Sequence, residues 1–198
     1  MNDPRKIVGD FYEELLMNLF GLKRADREVL GNVPDLIASD GSFFMEVKAG
    51  ASYHGGVINK SQLQRFDDIT NMRRFYAFFH HSINKDMRKR YPTEGKLRIA
   101  LAEKFVSLYI FPFSLTKAHF ERSKLIATPK HDDYVQLNRS TAERIYRDNP
   151  EEWGRLDLST LDYYSRELHP GPVYLVTREG QLENRILESF RPEFLPNL

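Results

Sequence analysis

Ser39-Asp40-Gly41-Ser42 separates two runs of apolar and β-branched residues in the stretch VPDLIASDGSFFMEVKAG, Val33 to Gly50. Asp-Gly in such a setting is among the strongest short-range signals for a β-hairpin with a two-residue loop. A hairpin fixes a register, and a register fixes which side chains share a face. With Asp40 and Gly41 as the loop, Ser39 faces Ser42, Ile37 faces Phe44, and Asp35 falls opposite Glu46. Directly opposed residues hold their Cβ atoms about 4.5–5.5 Å apart. Alternation then puts Lys48 on the face of Glu46 and turns Leu36, Ala38, Phe43, Met45 and Val47 to the other face.

Two carboxylates that close repel each other unless a cation lies between them. All-oxygen ligation suits a hard divalent ion, Mg²⁺ first and Mn²⁺ as its substitute, and Mg²⁺ commonly completes its shell with waters and substrate phosphate. The plainer alternative is an ion pair of Lys48 with Glu46 or Asp35 on a solvated sheet face, an ordinary arrangement for antiparallel strands.

Pro34-Asp35, ten intervening residues, and Glu46-Val47-Lys48 resemble the PD-(D/E)XK signature of the restriction-endonuclease-like nucleases. That signature is short, and its surroundings add to it. Asp3 as N-cap and Pro4 at the first helical position open an amphipathic helix over residues 4–22, with Ile7, Val8, Phe11, Leu15, Leu16, Leu19 and Leu22 at helical spacing. Gly9 and Glu13 lie on one stripe of it, so Glu13 projects beside a small residue, where a backbone or a substrate has room to approach. Gly-x-x-x-Glu on a first helix ahead of the hairpin is similar to the arrangement in archaeal Holliday-junction resolvases, a branch of the same superfamily. Glu14 is the alternative to Glu13, and a solvent-facing acidic pair is the plainer reading of both. After the hairpin, Asn59 or Ser61 caps a second helix with Leu63, Phe66 and Ile69 at helical spacing. Its Gln62 to Phe66 segment resembles the Gln-x-x-x-Tyr element of several nucleases in the superfamily, with phenylalanine keeping the ring and losing the hydroxyl. A glutamine amide there holds a phosphate oxygen or orients the lysine.

Elsewhere the pattern is coarser. Lys23 to Gly31 reads as a connection with one short strand, and Ala49 to Gly56 as a flexible loop beside Lys48. Phe75 to His81 suits a buried strand in parallel pairing after a helical crossover. His80 and His81 are adjacent, so on a strand they face opposite ways and do not easily share one ion. Leu97 to Ala102 and Phe105 to Phe113 read as two further strands, Ser114 to about Lys124 as a helix, and Thr128 to Leu137 as loop with a possible strand from Tyr134. Ser140 to Asp148 reads as a helix, 151–170 as short helices, Pro172 to Thr177 as a late strand and Gln181 to Phe190 as a last helix. The chain divides into a core over 1–128 and an extension over 129–198 packed on it.

With 198 residues, 41% hydrophobic and 13% aromatic, the chain has enough apolar material for one substantial core. It has no cysteine, no apolar run of membrane-spanning length and no basic start of a signal sequence, so disulfides, secretion and a membrane partner are not expected. The expected compartment is the cytoplasm, of a cell or of a virus-infected host cell. The net charge of +1 conceals an asymmetry: residues 1–140 hold 22 Lys/Arg against 17 Asp/Glu, and 141–198 hold 7 against 11. A phosphate-binding surface is therefore expected in the first part, with the basic segment carrying Lys85, Arg88, Lys89 and Arg90 as the candidate contact to a DNA backbone.

The resemblance implies an α/β fold, a restriction-endonuclease-like mixed central sheet flanked by helices in which the hairpin joins strands two and three. It implies a Mg²⁺-dependent endonuclease that hydrolyses DNA phosphodiesters, with Asp35 and Glu46 as metal ligands, the Val47 carbonyl as an extra ligand, Glu13 aiding directly or through water, Lys48 orienting the attacking water or stabilising charge, and Gln62 beside it. A junction-resolvase-like enzyme would be a homodimer, since two opposed strands are cut, and a DNA repair or viral nuclease is an equal expectation. The rival is a nucleic-acid-binding protein that keeps the fold without the chemistry.

Overall fold

A computed structural model of the chain describes residues 3–26, 34–51, 55–81, 90–103, 106–128, 131–148 and 173–175. In chain order the elements are α1 (Pro4–Phe20), β1 (Leu22–Arg24), β2 (Leu36–Ala38), β3 (Phe43–Ala51), β4 (Gly56–Asn59), α2 (Lys60–Asp67), β5 (Arg73–His81), α3 (Glu94–Glu103), β6 (Val106–Pro112), α4 (Phe113–Arg122), β7 (Ile126–Thr128), β8 (His131–Leu137), α5 (Arg139–Asp148) and β9 (Val173–Leu175). The architecture is α/β, with helices flanking a mixed six-stranded sheet of order β1-β2-β3-β5-β6-β9 and a second sheet of order β4-β8-β7. Strands β1, β2 and β3 form an antiparallel meander, β5 runs parallel to β3 after the α2 crossover, and β6 returns antiparallel. Among the described residues no helix is long and apolar enough to cross a membrane.

The first helix begins as its sequence dictates. The Asp3 side chain accepts the Arg5 N–H at 3.1 Å, and Pro4 follows with no N–H to satisfy. It ends at Phe20 and not at Leu22, because Gly21 takes the left-handed conformation (φ 63°) and releases the chain into β1. Tyr12 fixes α1 to the sheet, its ring stacked on Phe79 with centroids 4.3 Å apart.

In the hairpin, Ile37 pairs with Phe44 and Leu36 with Met45, the register expected from the sequence. The loop is wider than expected. β2 stops at Ala38 and β3 starts at Phe43, so four residues connect them and Ser39 does not pair with Ser42. Gly41 closes a turn onto the Ala38 carbonyl at 2.9 Å with φ 78°, and Asp40 accepts both the Ser42 N–H (2.9 Å) and its hydroxyl (2.6 Å). Because the loop widens by one residue on each side, the pairs Ile37–Phe44 and Leu36–Met45 keep the expected register, while Asp35 lies outside β2 and makes no ladder pair with Glu46.

Other expectations change. Residues 97–102 are helical, within α3, where Leu97, Ala100 and Leu101 are buried and Ile99 is exposed. A strand would have put Leu97, Ile99 and Leu101 on one face; burial at i, i+3 and i+4 is the mark of a helix. His131–Leu137, expected as loop with a strand only from Tyr134, is strand throughout, β8 pairing with both β4 and β7. The expected loop of 49–56 is partly strand as well, since β3 continues to Ala51 and β4 begins at Gly56. The helices expected within 151–170 and 181–190, and Lys85, Arg88 and Lys89, lie outside the described residues. Val135, Leu137, Ala142 and Ile145 belong to the same hydrophobic cluster as the central sheet, and β9 extends that sheet beside β6.

Candidate active site

The parallel register of β3 and β5 sorts their side chains into two faces. Val47 pairs with Ala77 and Ala49 with Phe79, on the side covered by α1. Glu46 pairs with Tyr76 and Lys48 with Phe78, on the side covered by α2 and the second sheet. The charged face of the hairpin is thus not solvated: the Glu46 side chain is 1% exposed and that of Lys48 is 13% exposed. The ion pair between Lys48 Nζ and Glu46 Oε1 does form, at 2.6 Å, but inside the protein.

Asp35 stands one residue before the start of β2, where β3 runs on alone along that edge. Its Oδ2 accepts the Val47 N–H at 2.8 Å, standing in for the strand partner that β2 no longer supplies. In a strand the N–H and C=O of one residue leave on the same edge, so the Val47 carbonyl is directed to the Asp35 side as well. The Asp35 backbone carbonyl accepts the Ala25 N–H at 2.9 Å, which anchors the turn into β2.

Lys48 Nζ has a second acceptor, Gln62 Oε1 at 2.9 Å, and the same oxygen accepts Asn59 Nδ2 at 3.1 Å. α2 therefore delivers Gln62 to the lysine. Burial pushes the Glu46 carboxyl up to about 7, with Lys48 acting against that and the nearby Asp35 adding to it. Glu46 Oε2 is buried with no hydrogen-bond partner among the described residues. Beside it the Tyr76 hydroxyl is buried without a partner among the described residues, and burial, then Glu46 and Asp35, push its ionisation upward. Phe66 packs its ring edge-on against Tyr76 at 5.3 Å.

Close backbone approach shapes the site. A Cβ on Gly56 would come within 2.8 Å of the Lys48 Cβ and 3.0 Å of the Phe78 ring, so β4 passes over Lys48 only as glycine. A Cβ on Gly50 would collide with the Gly55 carbonyl, and Gly55 itself has φ 73°.

The structure thus brings Asp35, Glu46, Val47, Lys48 and Gln62 together. Glu13 lies on α1, the helix packed on the face of the sheet that carries Phe79, with Arg24 Nη2 3.6 Å from its Oε2. Glu14 pairs with Arg98 at 2.7 Å. No backbone approaches Gly9, where a Cβ would meet nothing within 4 Å. Among the described residues no group of three or more histidines and carboxylates is arranged to hold a metal ion. Arg90 is exposed. His80 and His81 face opposite sides: His80 Nε2 lies 2.8 Å from the Leu137 carbonyl, and His81 stacks near Tyr12. Sequence reasoning missed Asn59 as a partner of Gln62, Tyr76 as a neighbour of Glu46, and Gly56 as the residue that makes room for Lys48. Only the glycine-rich run at 50–56 carried a signal, and it also fits a flexible loop. Compared with known proteins, the chain matches no family model, no curated protein and no solved structure.

Proposed function

We propose that this chain is a metal-dependent nuclease that hydrolyses DNA phosphodiester bonds, with Asp35, Glu46 and Lys48 at its centre and a restriction-endonuclease-like core. The observation that carries this reading is the part-buried lysine paired with the buried Glu46. Lys48 is held between Glu46 and Gln62 on the face where Asp35 stands, while Glu46 keeps a buried oxygen with no partner among the described residues. As a stabilising device this is poor, since a buried ion pair is often no better than apolar residues of the same volume. As the reactive centre of a hydrolase it is economical. The element order also suits the fold that the resemblance implies, because the hairpin joins the second and third strands and α2 carries the chain to a strand parallel with the third.

The donor set fits a hard divalent ion. Asp35, the Glu46 oxygen without a partner and the Val47 carbonyl would hold Mg²⁺, or Mn²⁺ in its place, with waters and a phosphate oxygen completing the shell. When bound, such an ion polarises a phosphoryl oxygen and acidifies water. Lys48 donates to the negative charge that develops on the phosphoryl oxygens, and Gln62 keeps its ammonium in place for that task. Asp35 has a second duty, fixing the Val47 peptide. Glu13, on α1, would aid the ion directly or through water. Lys85, Arg88, Lys89 and Arg90 are the proposed contacts to the DNA backbone, and a branched substrate cut by a homodimer, as in junction resolvases, is the first substrate class to examine.

A panel of labelled four-way junction, flap, single-stranded and linear duplex DNA, incubated with Mg²⁺, Mn²⁺ or EDTA, tests the proposal. Cleavage of at least one substrate with either metal and of none in EDTA is expected. Binding without cleavage across the panel would favour the rival, a nucleic-acid-binding protein.

A further inference from the structure

Asn59 occupies the N-cap of α2, yet its side chain makes no capping hydrogen bond there. Asparagine at this position ordinarily accepts an N–H of the first turn, which stabilises the helix. Instead its amide turns to Gln62, and the chemistry of lysine fixes how. Lys48 Nζ has only donors, so the Gln62 atom 2.9 Å from it is the amide oxygen. The Asn59 atom 3.1 Å from that same oxygen is then necessarily the amide nitrogen. Both amides are thereby oriented without ambiguity. Two donors occupy both lone pairs of Gln62 Oε1, which leaves the Nε2 end of the amide turned away from Lys48.

We infer that Asn59 is a positioning residue: it locks the Gln62 amide with its oxygen toward Lys48 and its N–H groups toward the substrate side, where they donate to a phosphodiester oxygen. The inference rests on the nuclease reading for its use, but its geometry stands without it. Without Asn59, the Lys48 ammonium alone holds the Gln62 amide oxygen, so the amide swings more freely and the second of the two anchors of Lys48, beside Glu46, loosens.

Substitution separates positioning from helix capping. Asn59→Asp is at least as good an N-cap and places negative charge at the helix N-terminus, so it preserves or raises thermal stability. It also replaces the donor facing Gln62 Oε1 with an acceptor. Three readouts on the full chain decide: Tm, acylation of Lys48 by an amine-reactive ester relative to the exposed Lys124, and kcat and KM for cleavage in Mg²⁺. In Asn59→Asp, Tm is expected to hold, relative labelling of Lys48 to rise about threefold or more, and kcat to fall about tenfold with little change in KM. Asn59→Ala is expected to lie between wild type and Asn59→Asp. Adding Asn59→Ala to Gln62→Ala should have no further effect, because the two act on Lys48 in series. Wild-type labelling of Lys48 in Asn59→Asp would overturn the inference. Were that variant to lose Tm, Asn59→Ala would decide instead, by raised labelling in favour or unchanged labelling against. If the wild-type protein cuts no DNA, the nuclease reading fails, while the labelling still decides the role of Asn59.

Discussion

The Asp35 carboxylate accepts the Val47 N–H at 2.8 Å at the point where β2 leaves β3, so one side chain both ends a ladder and stands beside the buried Glu46. Its two duties require different properties. Holding the N–H needs an oxygen; holding a cation needs a charge.

Asp35→Asn keeps an oxygen for Val47 and discards the charge, whereas Asp35→Ala discards both. Denaturation in EDTA is expected to show Asp35→Asn near wild type and Asp35→Ala weaker by about 1–3 kcal/mol, the range for a hydrogen-bonding group left unsatisfied. Added Mg²⁺ or Mn²⁺ should raise the Tm of wild type and of neither variant. A metal-dependent rise of wild-type size in Asp35→Asn would remove Asp35 from the ligand set.

Removing Lys48 takes away the cation that favours the charged form of the buried Glu46, so the carboxyl titrates higher still and holds its proton near neutral pH. Lys48→Met should therefore cost little near pH 7 beyond the lost contacts and up to about 3 kcal/mol where Glu46 is forced to ionise at higher pH, far more than removal of an exposed lysine such as Lys124. Urea unfolding of the two variants side by side at that higher pH makes the comparison. Equal losses would mean that the pair is solvated in solution.

Gly56→Ala places a methyl group within 2.8 Å of the Lys48 Cβ. Either β4 lifts or Lys48 shifts, at about 1–3 kcal/mol for overpacking a well-filled site. Any nuclease activity should fall with it, since the lysine stem is what moves. A variant with wild-type stability and wild-type cleavage would show that the two strands lie further apart than 2.8 Å implies.

His80 supplies a pH signature away from the site. Its Nε2 donates to the Leu137 carbonyl, and burial lowers its pKa to about 4, with Arg139 acting in the same direction and Glu143 and the hydrogen bond opposing. Tyr109 packs edge-on against the ring. A histidine depressed in the folded state favours unfolding once it must be protonated. Its contribution is thus fully present above the unfolded value of about 6.5 and is lost as pH falls toward 4, by roughly 3 kcal/mol at full protonation. Urea denaturation from pH 7.5 to 4 should show a steeper loss in wild type than in His80→Gln, and parallel curves would contradict the buried neutral ring.

The hairpin register was legible because a turn signal and a two-residue alternation agree there, and a symmetric change of loop length leaves facing pairs intact. Gln62 was legible as one position on a helix after the hairpin. Its partner Asn59 was not, because an asparagine before a helix already has an ordinary explanation as a cap. Leu97 to Ala102 misled because a short apolar run fits both periods, and Ile99 betrays the helix only once its exposure is seen. The second sheet was hidden for another reason. β4 and β8 pair across more than seventy residues of sequence, and Gly50, Gly55 and Gly56, which permit the close approach, look like a loop when read alone. Glu13 illustrates the limit of spacing arguments: periodicity gives its stripe on α1, but the face of the sheet on which α1 docks decides what it meets.

Under the proposed function, Asp35 and Glu46 make phosphodiester cleavage metal-dependent. The most direct test is single-turnover cleavage of the best DNA substrate by wild type, Asp35→Asn and Glu46→Gln in Mg²⁺, with DNA binding measured in parallel. Wild type should cut in Mg²⁺ and not in EDTA, and each variant should bind normally while losing at least about a hundredfold in rate, as expected when a charge-stabilising group at a reaction centre is removed. Cleavage by both variants at the wild-type rate would contradict the assignment.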